Sequence, residues 1–181
     1  MTTKAEARKR AAAVRESLSP EYMKEASEVI SRKVLSLRRF KECGSLFIYV
    51  SVAGEPDTEK IIRAALDAGK RVFAPRCTGP GVMEAAEVAD FDRDLAPGKY
   101  GIPEPKGGEV ILPEDIDFAV IPCAAAAFDG RRLGHGAGFY DRYLEKTKCP
   151  AVALCFSPLV TEDIPTESYD VKADMVITDA E

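Results

Sequence analysis

The sequence predicts an α/β fold of three layers built on a mostly parallel sheet. Three observations point there. Residues 46–52 and 151–156 are nearly continuous apolar, β-prone runs, the signature of strands buried on both faces. Such runs alternate with helical stripes along the chain. A glycine-rich segment, residues 132–141, follows another apolar strand, and folds of this class bind ligands beyond the C-terminal ends of their strands.

Each element has its own local cause. Residues 3–18 read as a helix, because Ala7, Ala11, Val14 and Leu18 fall on one stripe. Lys4 continues that stripe and Arg8 lies one turn further on. The two cations either reach into a site from the edge of the packed face or are simply solvated. Ser19 caps a second helix with Pro20 at its first position, and Met23, Ala26, Ile30, Val34 and Leu37 form its buried side. The strand over 46–52 follows. Asp57 or Thr58 caps a third helix that ends near Gly69. Residues 71–75 form the next strand. Residues 76–116 are rich in proline, glycine and acid, and are expected to hold a small hairpin around 82–88 and a loop over the site. A strand over 118–122 leads to the glycine segment, a helix covers 139–147, and strands over 151–156 and 175–178 close the chain. No repeat or linker divides it, so we expect a single domain over 1–181.

The glycine segment reads Arg132-Leu133-Gly134-His135-Gly136-Ala137-Gly138-Phe139-Tyr140-Asp141. Glycines at alternate positions let backbone N–H groups approach an anion closely. Arg132 adds a planar cationic fork suited to phosphate. The N-terminus of the following helix adds a positive dipole end. An aspartate beside bound phosphate needs a cation between them, so Asp141 fits a Mg²⁺ contact; its other reading is a helix N-terminal charge. Without its flanking residues, the glycine run reads more readily as a plain tight turn; Arg132 and Asp141 bring the phosphate reading level with it.

Composition narrows the function. The chain has 181 residues, 46% hydrophobic and 30% charged, with a net charge of −5 and no basic tail. That argues against nucleic-acid binding. No apolar run reaches membrane-spanning length and no secretory signal is present, so no membrane partner is expected. Cys43, Cys77, Cys123, Cys149 and Cys155 are odd in number and widely spaced. They read as buried or half-buried thiols of a reducing cytosol, which makes a cytoplasmic protein the expectation. One histidine, His135, argues against a zinc site and leaves little room for Cys–His catalysis.

The whole glycine string resembles the signature of the 5-formyltetrahydrofolate cyclo-ligase family, which runs Arg-Leu-Gly-x-Gly-x-Gly-Tyr-Tyr-Asp. The resemblance spans nearly the whole chain. Lys4-x-x-x-Arg8 is similar to the family's opening helix, and Tyr49 to Thr58, with Glu55, to its folate-side strand and turn. Gly101-Ile-Pro-Glu-Pro105 is similar to its Gly-Ile-x-Glu-Pro segment, and Ser168 to Val171 with Asp174 and Thr178 to its closing pattern. Departures are Ala137 for a frequent glycine or lysine, Phe139 for the first tyrosine, and Tyr169 where histidine is common.

The resemblance implies a Rossmann-like fold of the ribose-5-phosphate isomerase and CoA-transferase type. It implies a monomeric, ATP- and Mg²⁺-dependent ligase of one-carbon metabolism that converts 5-formyltetrahydrofolate to 5,10-methenyltetrahydrofolate. It assigns nucleotide contacts to Lys4, Arg8, Arg132, Leu133, Gly134, His135, Gly136, Ala137, Gly138, Phe139 and Tyr140, with Arg132 catalytic. Folate contacts fall to Val50, Glu55, His135, Gly136, Ala137, Gly138 and Phe139, and the metal to Asp141 and Asp170. Two other readings compete on the same fold: a non-catalytic sensor of a phosphorylated metabolite, and a sugar-phosphate isomerase with Glu55 or Asp141 as base.

Overall fold

The computed structural model describes residues 2–98 and 101–180. Helix α1 (Lys4–Glu16) opens on a capping box: Thr3 Oγ1 accepts from the Glu6 backbone N–H at 3.2 Å, and the Glu6 carboxylate accepts from the Thr3 N–H at 2.7 Å. It buries Ala7 and Ala11 and stops two residues short of the expected span, where Ser17 turns back on Val14 and Arg15. Helix α2 (Pro20–Ser36) starts at Ser19, whose hydroxyl accepts from the Tyr22 N–H. Ile30 and Val34 on its inner face are fully buried. The short α3 (Arg38–Glu42), absent from the sequence reading, tucks Phe40 into the core.

The remaining elements are β1 (Ser45–Ile48), α4 (Glu59–Asp67), β2 (Arg71–Gly79), β3 (Val82–Val88), α5 (Phe91–Asp94), β4 (Leu95–Pro97), β5 (Pro103–Pro105), β6 (Val110–Ile111), β7 (Phe118–Pro122), β8 (Ala125–Ala126), β9 (Arg132–Leu133), α6 (Phe139–Leu144), β10 (Ala151–Leu154) and β11 (Met175–Ile177). The main sheet has the order β11-β10-β7-β1-β2-β3-β6. Pairing is parallel from β11 to β2 and antiparallel at β2–β3 and β3–β6. Every residue of β1, β7 and β10 is buried, as their nearly continuous apolar sequences require. Two small ribbons, β4–β5 and β8–β9, lie outside the main sheet.

The strand order creates the site. The connection β1–α4–β2 steps one way along the sheet, and β7–α6–β10 steps the other. Right-handed crossovers in opposite directions put α4 and α6 on opposite faces. The Phe47 ring stacks on Tyr143 of α6 with centroids 4.5 Å apart, while α2 packs with α4. Between β1 and β7 the chain leaves the sheet in two directions, and the crevice there is the place where such sheets bind ligands.

Three expectations are corrected. Strand β1 ends at Ile48 rather than residue 52. Thr58 draws the chain away: its hydroxyl donates to Tyr49 O at 2.8 Å and accepts from Ser51 N at 3.1 Å, closing a loop over the strand end. Residues 82–88 are one arm of a hairpin, not a whole one; the other arm is β2, which runs on to Gly79. Helix α6 ends at Leu144 instead of 147, its last carbonyls taken by Lys146 and Thr147 in a tightening turn. At the start of α4 it is the Asp57 carboxylate that accepts from the Glu59 N–H, since the Thr58 hydroxyl is already used. Cys43, Cys123 and Cys155 are buried, and Cys77 and Cys149 are half-buried.

Thr58 is fully buried and serves two backbone groups at once. Thr58→Val should lower unfolding free energy by about 1–3 kcal/mol, the cost of leaving such groups unpaired, as read by urea titration. Wild-type stability in that variant would mean that the loop holds its shape without the hydroxyl.

Candidate functional site

Two cavities open at the crevice and meet along the glycine segment. The larger, about 760 Å³, is polar; Lys4, Arg8, Arg132, Gly136, Asp141 and Asp170 are among its lining. The second, about 580 Å³, is mainly apolar; Tyr49, Val50, Glu55, Met83, His135 and Tyr140 help to line it. Arg132, Gly134, Gly138 and Asp141 belong to both.

Arg132 is the joint between them. It stands on β9, held by pairing with β8 directly after β7. Its side chain is 2% exposed, and Nη2 donates to Asp141 Oδ1 at 2.7 Å. Its Nε–H is buried with no acceptor, so the guanidinium keeps unused donor capacity. Asp141 Oδ1 also accepts from the Val171 N–H at 3.2 Å, which ties the closing segment of the chain to α6.

The glycine segment bends where side chains would obstruct. Gly136 has φ of 111° and Gly138 has φ of 68°, conformations L-residues rarely adopt. A methyl group on Gly136 would meet Arg8 Cζ at 3.5 Å, an ordinary contact, so it is the positive φ that calls for glycine there. Arg8 Nε donates to Gly134 O at 2.8 Å. Helix α1 thus docks by a cation on the loop's own carbonyl.

Lys4 forms the far wall. Its ammonium lies 2.7 Å from Asp170 Oδ1 and 2.5 Å from Glu167 Oε2, and 4.9 Å from the centroid of the Tyr169 ring. Burial pulls its pKa down, but the hydrogen bonds and charges of Asp170 and Glu167 outweigh that and leave it above the ordinary lysine value. Asp170 Oδ2 accepts from the Glu167 N–H.

In the apolar cavity Glu55 is 11% exposed. Its Oε1 lies 3.2 Å from His135 Nε2, and its Oε2 accepts from the Val52 N–H at 3.1 Å. Tyr140 faces the same space. Burial pushes its phenol pKa well up, and the Glu55 charge pushes it further against a smaller pull from Arg132, so the hydroxyl stays neutral.

The sequence-predicted residues therefore gather at one place but divide between two cavities. Lys4, Arg8, Leu133, Gly136 and Asp170 face the polar one. Val50, Glu55, His135, Ala137, Phe139 and Tyr140 face the apolar one. Gly136 is thus on the polar side only, and His135, Ala137, Phe139 and Tyr140 on the apolar side only. Cys77 and Met83 also line the apolar cavity and were not anticipated; Tyr49, Ile102 and Glu104 line it too and lie in segments matched to the family pattern, but no contact was assigned to them. Cys77 and Met83 gave little signal, because the apolar residues of the 76–116 stretch are interspersed with proline, glycine and acid. Among the described residues no group of three or more His, Cys, Asp or Glu could hold a metal ion. Asp141 and Asp170 nevertheless line one cavity, and Mg²⁺ beside phosphates needs only one or two carboxylates. The hydrogen bonds to Asp141 both fall on Oδ1.

Comparison with known proteins follows the same lines. The sequence profile of the 5-formyltetrahydrofolate cyclo-ligase family matches residues 1–179. The chain is 32% identical over 166 residues to a probable 5-formyltetrahydrofolate cyclo-ligase of Schizosaccharomyces pombe, covering 82% of this chain and 81% of that one. It is 32% identical over 179 residues to a probable 5-formyltetrahydrofolate cyclo-ligase of Caenorhabditis elegans, covering 91% and 86%. The NMR structure of Aquifex aeolicus 5,10-methenyltetrahydrofolate synthetase superposes with a TM-score of 0.88 at 31% identity, covering 99% of this chain and 91% of that one.

The Arg132–Asp141 pair supports a stability prediction that needs no ligand. Asp141→Asn removes the counter-charge of a guanidinium that is almost wholly out of water. Stripping one partner from such a pair costs about 3 kcal/mol, so the variant should unfold at distinctly lower urea concentration. An unchanged midpoint would mean that Arg132 finds another partner.

Proposed function

The chain belongs to the 5-formyltetrahydrofolate cyclo-ligase family, and from that premise we propose how its two cavities divide the work. The activity is the ATP-dependent conversion of 5-formyltetrahydrofolate to 5,10-methenyltetrahydrofolate. The observation that carries the assignment is the meeting of a polar, cation-walled cavity with an apolar one at Arg132. The triphosphate lies in the first against Lys4, Arg8 and the backbone of 134–138. The pterin lies in the second, its donor-rich edge on Glu55. A sugar phosphate would leave the apolar cavity unused, so nothing here favours the isomerase reading.

The chemistry needs no protein nucleophile. The formyl oxygen attacks the γ-phosphorus, ADP leaves, and an imidoyl-type phosphate forms. N10 then attacks the activated carbon, its proton passes to solvent, and phosphate departs. What the chain supplies is alignment and charge. Arg132 sits where the phosphoryl group passes from one cavity to the other, and its charge opposes the negative charge that grows there. Glu55 exchanges His135 for the pterin and holds the folate against the wall made by Tyr49 and Met83. Asp141 and Asp170 would hold Mg²⁺, which when bound shields the phosphates from these carboxylates. Lys4 stands beside Asp170 to shift from carboxylate to phosphate.

Further parts of the reading concern the whole molecule. It works as one domain over 1–181 and as a monomer in the cytoplasm. Among the described residues no helix is long and apolar enough to cross a membrane.

The direct test is the appearance of methenyltetrahydrofolate absorbance from 5-formyltetrahydrofolate, with and without ATP. Arg132→Ala should lower kcat by roughly a hundredfold, about 3 kcal/mol of barrier, and Arg132→Lys should recover only part, since a point charge replaces a planar fork. Activity near wild type in both variants would remove Arg132 from the reaction. Glu55→Gln should raise the folate KM by about tenfold or more with little change in the ATP KM, because an amide offers a mismatched donor to the pterin edge. Equal movement of the two KM values would take Glu55 away from the folate.

A further inference from the structure

Arg142 lines neither cavity, yet it holds the two walls together. It is an exposed residue in the last turn of the short α6. Its Nη1 donates to Gly81 O at 3.1 Å and to Ala137 O at 3.0 Å. Among the described residues no carboxylate forms an ion pair with it, so its hydrogen bonds go to these two carbonyls. The room it occupies is left by two glycines. A Cβ on Gly81 would stand 2.2 Å from Arg142 Nη1, and one on Gly138 3.1 Å from the same atom. Both glycines have φ of 68°.

One tethered segment walls the apolar cavity, and the other is shared by both cavities. Gly81 is in the turn of the β2–β3 hairpin, whose Cys77 and Met83 line the apolar cavity. Ala137 precedes Gly138, which lines both cavities. A tie between these segments fixes the distance between the folate wall and the phosphate loop. Placement errors of an ångström at a reacting pair cost rate even when they arise far from the chemistry.

We propose that Arg142 is a positioning residue that locks the β2–β3 turn onto the glycine loop and thereby sets the two cavities as one unit. The proposal rests on the cyclo-ligase reading for its kinetic consequence, but the tether itself does not. Arg142→Ala should lower kcat/KM for both substrates by about tenfold to a hundredfold while the melting temperature falls by no more than about 4 °C. Arg142→Lys, able to reach one carbonyl at a time, should recover part of the loss. Gly81→Ala, which pushes the guanidinium off its carbonyl, should reproduce the kinetic defect with Arg142 present. Hydrogen exchange should rise together in residues 79–82 and 136–138 of all three variants, most in Arg142→Ala.

Kinetic constants within about twofold of wild type in Arg142→Ala and Gly81→Ala would overturn the proposal. So would exchange that rises in only one of the two segments, or a fall in melting temperature with unchanged turnover per folded molecule. Failure of the wild type to form methenyltetrahydrofolate would instead sink the functional reading, and the exchange comparison would still decide whether the tether exists.

Discussion

A guanidinium taken almost entirely out of water is the constraint from which the rest of the site follows. Arg132 is 2% exposed, and its desolvation is offset by the carboxylate of Asp141 at 2.7 Å. Burying one charge without the other is expensive, so β9 and α6 must be placed together. The turn from Gly134 to Gly138 makes that possible, because its backbone adopts conformations open to few residues other than glycine. Asp141 then reaches the Val171 N–H and fixes the closing segment, which carries Asp170 to the same cavity. One ion pair orders three stretches of chain.

The sheet explains why this pair stands where two cavities meet. β1 and β7 are neighbours, yet the chain leaves them in opposite directions along the sheet. The loops after the two strands therefore part, and the space between them stays open. One loop brings Glu55 and the other brings Arg132. A two-substrate reaction is served by this arrangement, since each loop can present its own partner to a shared centre.

Helix α1 has a different kind of importance. Its cations meet groups more than a hundred residues away: Arg8 binds Gly134 O, and Lys4 binds Asp170. The helix thus closes the polar cavity rather than extending the sheet. Lys4 is shared by Asp170, Glu167 and the face of Tyr169, where the resembling pattern commonly has histidine. The aromatic face can rest on the ammonium without competing for its protons.

Much of the fold was legible in the sequence because its causes are local. Nearly continuous apolar runs mark β1, β7 and β10, and Thr3, Ser19 and Asp57 mark helix starts through side chains that bond the next residues. The glycine string marked the loop where the two cavities meet for the same reason, and its resemblance to a family signature carried Lys4, Glu55 and Asp170 with it. What the tertiary structure alone decided rests on pairs distant in sequence. The end of β1 depends on Thr58 folding back on Tyr49. The wall of Tyr49, Met83 and Ile102 exists only once the β2–β3 hairpin and the loop beyond it lie across the crevice. The division of one glycine loop between two cavities depends on which side of its backbone each side chain leaves. None of these leaves a period or a cap in the sequence, because each is set by the packing of segments whose order along the chain says nothing of their distance in space.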